Sequence, residues 1–282
     1  MIIIKETYVL QKLLLQFKST GKSIGFVPTM GALHNGHISL IKESLAKDDI
    51  TVVSIFINPT QFNDSKDYDK YPITLESDIH LLDQVKTSIL FLPPLNEIYP
   101  KGLQSSFNYD LGFLETILEG FYRPGHFQGV CRVVHKLLGI TEPADLFMGQ
   151  KDYQQCMVVS KLLELYKIPA SLNIVPTERE PTGLAMSSRN MRLSGDAKQK
   201  AGNIYKALNF IKDNITIYAI PELQTKAHEM LMNAGFQKID YIEICNAKTL
   251  MPVKEYDDET KLIALAAAFI EEVRLIDNLL LN

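Results

Sequence analysis

Two imidazoles three residues apart, His34 and His37, flank an Asn-Gly pair in "GFVPTMGALHNGHISL" (25–40). The stretch reads as a strand ending at Pro28-Thr29, a turn, and a helix opening near Asn35 to His37. A helix N-terminus presents unpaired N–H groups and a partial positive charge, so it draws anions. Gly31 and Gly36 let a phosphate come close to the backbone. On a near-helical turn the two histidines share a face, and as paired donors they suit phosphate oxygens that are gaining charge. The plainer reading makes one histidine a helix cap and the other a surface residue; the full run Pro-Thr-Met-Gly-Ala-Leu-His-x-Gly-His favours the phosphate site.

Four further segments carry chemistry-bearing side chains. "INPTQF" (57–62) offers Asn58 and Gln61, and an amide at Gln61 can hold a carboxylate without quenching its nucleophilicity as a full charge would. Asn-Pro is also plain turn chemistry. "YRPGHFQGV" (122–130) sets Arg123 and His126 before a helix, where Pro-Gly could be only a turn and His126 only a cap. "MGQKDYQQ" (148–155) combines Gly149 for close backbone approach, Lys151 as a positive charge, Asp152 for a ribose hydroxyl or a cap, and Gln155 as a second neutral donor. An exposed Lys–Asp ion pair is the bland alternative there. "AMSSRN" (185–190) brings Ser187, Ser188 and Arg189, a cationic, hydroxyl-bearing loop able to close over a triphosphate, or else a linker. Four of these five segments are read as following strands and the fifth as lying at a domain junction, so one shared site is expected.

The elements that must position them alternate. Apolar, β-branched runs at 23–29, 50–58, 88–94, 145–149 and 171–176 read as strands. Between them Val130, Val133, Val134, Leu137 and Leu138 mark one helical face, and Ile38, Ile41 and Leu45 another. This alternation implies a doubly wound, Rossmann-like parallel sheet with right-handed crossovers, and ligands at the carboxyl ends of its strands. Beyond residue 177 a polar loop (181–196) leads to helices near 196–212 and 221–234 and strands at 238–245 and 262–270. The expected organisation is an α/β domain over 1–177 and a smaller α+β domain over 178–282.

With 282 residues, 46% of them apolar, the chain can bury a substantial core. A net charge of −4 argues against a nucleic-acid partner, which calls for a basic face. Three widely spaced cysteines suggest neither a disulfide framework nor a zinc site, and they fit a reducing cytoplasm. The N-terminal Ile2–Ile4 trio is too short for a secretory segment, and no run approaches the roughly 20 apolar residues of a membrane span.

"PTMGALHNGH", "NPTQF", "RPGHFQGV", "GQKDYQQ", "MSSRN" and "RLIDN" (274–278), in this order over nearly the whole chain, resemble the pantothenate synthetase (pantoate–β-alanine ligase) family of the His-x-Gly-His nucleotidyltransferases. The resemblance implies ATP-dependent ligation of pantoate and β-alanine through pantoyl adenylate, with Mg2+ accompanying ATP and a homodimeric protein. Carried over, Met30, Gly31, Ala32, Leu33, His34, Asn35, Gly36 and His37 would cradle ATP, with His34 and His37 on its phosphates and His37 as proton donor. Gln61 and Gln155, with Asn58 beside them, would hold pantoate. Gly149, Gln150, Lys151 and Asp152 would bind adenosine, with Lys151 also reaching phosphate, and Met186, Ser187, Ser188 and Arg189 would close on the triphosphate. Arg123 and His126 belong to a shared family motif. Three departures stand out: Gln150 where Glu is frequent, Ile73 where Arg is common, and Ser77 where the resemblance implies an acid that helps hold Mg2+, leaving Asp78 as its nearest substitute. A nucleotidyltransferase acting on a phosphorylated substrate would not need Gln61 and Gln155. A silent ATP-binding module would not need His37, Lys151 and Arg189 together.

Overall fold

The computed structural model describes residues 1–63, 65–104 and 107–282. Contacts divide the chain into two compact units, residues 1–149 with 154–176, and residues 150–153 with 177–282.

The first unit is a six-stranded, all-parallel sheet: β1 (Ile2–Ile4), β2 (Ile24–Thr29), β3 (Ile50–Ile55), β4 (Ile89–Phe91), β5 (Asp145–Gly149) and β6 (Ser171–Val175), in the spatial order β1-β4-β3-β2-β5-β6. Side chains alternate along each strand and feed two cores. On one face Phe26, Val52, Phe91, Leu146 and Met148 pack with Leu10 and Leu14 of the helix Thr7–Ser19, with the apolar stripe of His126–Thr141, and with Val158 and Val159 of Tyr153–Leu165. On the other, Val27, Val53, Leu90 and Phe147 meet Ile38 and Ile41 of Asn35–Lys47 and Leu82 of Leu75–Gln84. Full burial of one such Phe, Leu or Val contributes roughly 1.5–3 kcal/mol. Helices on both faces of a parallel sheet make the fold doubly wound. The order in which successive strands are added reverses between β2 and β5, which stay parallel, so the crevice for a ligand lies beyond their carboxyl ends.

Strand ends differ from the reading of sequence in ways the residues explain. β3 stops at Ile55, because Asn58 caps a one-turn 3-10 helix, Pro59–Gln61. β4 stops at Phe91, ahead of Pro93-Pro94, which cannot donate to a ladder. The segment "YRPGHFQGV" follows a short helix, Leu118–Tyr122, rather than a strand.

The second unit is an antiparallel sheet of β7 (Lys238–Asn246), β8 (Leu262–Ile270) and β9 (Val273–Leu280), in that spatial order. Its core joins Ile242, Ile244, Ala264, Ala266 and Leu275 to Leu208 and Ile211 of Asn203–Asn214 and to Leu223 and Leu231 of Ile220–Asn233. The single helix expected over 196–212 is two, Gly195–Ala201 and Asn203–Asn214. They break at Gly202, where a Cβ would drive into the carbonyl of Thr182. Among the described residues no helix is long and apolar enough to cross a membrane.

Candidate active site

In the first unit β2 delivers its backbone into a left-handed turn. Gly31 has φ +80° and Ala32 φ +49°, the second an unusual conformation for a residue with a Cβ. Asp78, 2% exposed on the first turn of Leu75–Gln84, fixes it. Its Oδ2 accepts from the N–H of Ala32 at 2.9 Å and its Oδ1 from the N–H of Leu33 at 2.8 Å, while Thr74 Oγ1 donates to Oδ1 at 3.1 Å. A Cβ at Gly31 would stand 3.1 Å from that carboxylate. Asp78, the substitute metal ligand suggested by sequence, is thus spent on the loop. Among the described residues no group of three or more His, Cys, Asp or Glu could hold a metal ion.

His34 is the N-cap of Asn35–Lys47. Its Nδ1 accepts from the N–H of Gly36 at 3.2 Å, and Nδ1 of His37 accepts from the N–H of His34 at 3.3 Å. The ring centroids are 4.1 Å apart. With both Nδ1 atoms accepting, each ring carries its proton on Nε2, so each is a donor on the side away from its own backbone. Capping, read from sequence as the alternative to phosphate binding, takes Nδ1 of each ring and leaves the proton on Nε2.

The Gln61 turn is built from buried polar contacts. Asn58 is fully buried; its Oδ1 accepts from Tyr99 Oη at 2.8 Å and Thr60 Oγ1 at 3.0 Å, and its Nδ2 donates to Gly129 O at 3.1 Å and Gln61 Oε1 at 3.3 Å. Asn58, grouped from sequence with the ligand contacts, therefore acts on Gln61. With its oxygen engaged, Gln61 presents its amide N–H, and Nε2 lies 2.9 Å from the sulfur of Met30. His126 pins the same residue from below. Its Nδ1 donates to Gln61 O at 2.7 Å, which leaves Nε2 to accept from Arg123 at 3.2 Å. Gly129 lets the helix His126–Thr141 press against the turn; a Cβ there would strike the carbonyl of Thr60 and sit 2.6 Å from Gln61 Cα. Arg123 and His126 are supports of Gln61 in this unit.

At the end of β5, a Cβ on Gly149 would meet nothing within 4 Å, so the protein's own packing does not require glycine there. Of the adjacent glutamines that follow, about 100° apart around a helix, Gln154 is buried, bonded to Glu119 N and to Leu114 and Ile117 carbonyls. Gln155 is half-buried on a different face.

The second unit holds the remaining candidates. Gln150–Asp152 form a 3-10 turn in which Lys151 Nζ lies 3.8 Å from Asp152 Oδ1. Asn278 Nδ2 donates to the carbonyls of Gln150 and Lys151 at 2.8 and 2.9 Å. Asp277 is paired with Arg179 at 2.6 and 3.0 Å. Burial pushes the Asp277 carboxyl up, against the opposing pull of Arg179. Ser187 caps a 3-10 helix, Ser188–Arg192, by accepting from Arg189 N at 3.3 Å. Ser188 is buried, while Met186, Ser187 and Arg189 are half-buried. Sequence reasoning gave no role to Asn278, although it lies in "RLIDN", and none to Arg179. A polar pair between Leu275-Ile276 and Leu279-Leu280 was the available signal.

All three cysteines are buried, and burial pushes the Cys131 and Cys245 thiols up to about 12. They are not poised as nucleophiles.

A model of the pantoate-beta-alanine ligase family matches residues 2–280. The pantothenate synthetase of Cytophaga hutchinsonii is 45% identical over 283 residues, covering 100% of this chain and 99% of that protein. A crystal structure of pantothenate synthetase from Thermus thermophilus matches with a TM-score of 0.91 at 35% identity, covering 99% of each chain. The Francisella tularensis pantoate-beta-alanine ligase, complexed with beta-gamma ATP and beta-alanine, matches with a TM-score of 0.81 at 38% identity, covering 99% of this chain and 97% of that one. The chain belongs to the pantoate–β-alanine ligase family.

Proposed function

We propose that this protein joins pantoate to β-alanine at the expense of ATP, with pantoyl adenylate as the intermediate. One observation carries the reading. The helix N-terminus of His34 and His37, suited to phosphates, shares its loop with Met30, against which the neutral amide of Gln61 is held at 2.9 Å. Phosphate and carboxylate would thus meet over one loop, and an amide leaves the carboxylate nucleophilic where a cation would quench it.

In the first step the pantoate carboxylate attacks the α-phosphorus of ATP, a P–O bond forms, and the bond to pyrophosphate breaks. His34 and His37 donate from Nε2 to the phosphates, Lys151 and Arg189 add positive charge, and Gly149 admits the nucleotide close to the backbone. Gln61 and Gln155 hold pantoate, with Asn58, Arg123 and His126 serving at one remove. Met30–His37, Gln150, Asp152 and Met186–Ser188 complete the nucleotide contacts. In the second step the β-alanine amine attacks the acyl carbon and AMP leaves. Mg2+ would arrive with the triphosphate; the described residues offer no cluster to hold it, so no step is assigned through it. A homodimer in the cytoplasm is part of the same reading, supported by the family resemblance. The second unit, residues 177–282 with the 150–153 turn, would serve as a lid that keeps water from the adenylate.

Phosphorus NMR tests the reaction. AMP and pyrophosphate should accumulate with pantothenate only when ATP, pantoate and β-alanine are all present, whereas pyrophosphate without AMP would point to a phosphorylated substrate. His37→Ala and Lys151→Ala should each lose about 3–4 kcal/mol of transition-state stabilisation. A loss in turnover below about tenfold in folded protein would remove these roles.

A further inference from the structure

The "RLIDN" motif places two polar residues in succession on β9, and both are buried: Asp277 is 3% exposed and Asn278 2%. Successive strand residues face opposite sides, so each needs its own partner, and each has one. Asp277 takes the Arg179 guanidinium bidentately. Asn278 spends both amide hydrogens on the carbonyls of Gln150 and Lys151, at 2.8 and 2.9 Å, and its Oδ1 accepts from Gln150 Nε2 at 3.2 Å. A three-residue 3-10 turn has almost no internal ladder to define it, so these outside bonds fix its backbone.

We propose that Asn278 is the positioning residue for Lys151, holding the backbone of the turn from which the lysine reaches ATP; this rests on the role given to Lys151 above. The clamp is itself anchored. Arg179 stacks on the Tyr205 ring at 3.8 Å, and its Nη1 donates to Gly183 O at 3.0 Å. Its bridge to Ala185 and the bond from Met186 N to Glu178 O at 2.9 Å tie down the segment that leads into Ser187–Arg189. One buried node thereby sets the bases of both cationic contributors, Lys151 and Arg189, within a single unit. Apolar residues would satisfy the same strand more cheaply if only folding were at stake.

The test is a double-mutant cycle on the full-length protein, reading pyrophosphate release at saturating substrates for Asn278→Ala, Lys151→Ala and the pair. Misplacing a catalytic group by about 1 Å can cost on the order of 10²-fold. Asn278→Ala should lower kcat on that scale and leave the KM for pantoate unchanged. In the Lys151→Ala background the further loss should shrink to under about threefold, as for residues acting as one unit. Wild-type turnover in Asn278→Ala, or an equal loss in both backgrounds, overturns the proposal. If Lys151→Ala alone leaves turnover intact, the role of Lys151 fails first, a distinguishable result. Should Asn278→Ala not fold, the near-isosteric Asn278→Asp, which sets a carboxylate against the two carbonyls, runs through the same cycle, and the same two results support or overturn the proposal.

Discussion

Asp78→Asn is the sharpest perturbation of the loop proposed to bind phosphate, because it removes a charge and one acceptor while preserving shape. The native carboxylate accepts three donors: the N–H groups of Ala32 and Leu33, and Thr74 Oγ1. In the variant one oxygen becomes an NH2 facing a backbone N–H, so one charge-assisted bond is lost and a buried donor is left without an acceptor. Hydrogen bonds to charged groups are worth about 1.5–3 kcal/mol, and an orphaned buried N–H costs about 1–3 kcal/mol. These overlap, since the loop can shift to find solvent, so the expected loss in unfolding free energy is about 2–4 kcal/mol. The loop has a second reason to shift: Ala32 sits at φ +49°, a strained setting that persists only while its surroundings enforce it. Releasing it moves His34 and His37, so turnover should fall by on the order of 10²-fold. Urea unfolding and pyrophosphate release on the same preparation measure the two effects. A stability change below about 0.5 kcal/mol with turnover intact would show that the Asp78 bonds do not hold the loop.

Three other changes separate packing from electrostatics. Gly129→Ala should destabilise by about 1–3 kcal/mol through backbone overpacking and raise the KM for pantoate, whereas Gly139→Ala on the same helix, with open space at its Cβ, should stabilise by about 0.5–1 kcal/mol; equal melting shifts would sink the packing argument. Burial, then the charge of Asp145, pushes the Asp48 carboxyl up to about 6 from an ordinary value near 3.8. The folded state thus binds the extra proton between those values, and the neutral form's stability, full below pH 3.8, is lost as pH rises through 6. Asp48→Asn should therefore raise stability by about 1–3 kcal/mol at pH 7.5 and little at pH 4; a pH-independent gain would refute this.

The sheet was legible because its strands are apolar runs of β-branched residues punctuated by Gly and Pro, and the two helices with clean stripes identified themselves. What escaped has physical causes. β1 is only Ile2–Ile4, an edge strand with Ile2 and Ile3 exposed, below the length at which periodicity speaks. The helix Thr7–Ser19 buries only Leu10 and Leu14 fully, so its stripe is thin. β9 carries Asp277 and Asn278 inside and reads as polar. At the site, residue type is legible in the sequence and side-chain direction is not. Asn58 turns to Tyr99, Thr60, Gln61 and the Gly129 carbonyl, and Asp78 to the backbone of Ala32 and Leu33, and no sequence window shows which way a side chain turns. Nor could it reveal that Gln150–Tyr153, between two elements of the first unit, pack with the second.

The residues whose structural role the sequence did not show share a task. Asp78 holds Ala32 and Leu33, Asn58 and His126 hold Gln61, and Asn278 holds Gln150 and Lys151. In each case a buried polar side chain satisfies the backbone or amide of a loop that has no ladder of its own. Apolar packing cannot do this work, because it is indifferent to where an N–H or C=O points, whereas a bidentate carboxylate or carboxamide accepts only one arrangement. Such groups are poor sources of net stability, since their desolvation largely offsets their bonds. Their presence at three separate loops is best understood as selection for geometry: in the proposed reaction a phosphate donor, a carboxylate donor and a cation would each be held in one orientation before any ligand arrives, so that binding does not have to supply the order.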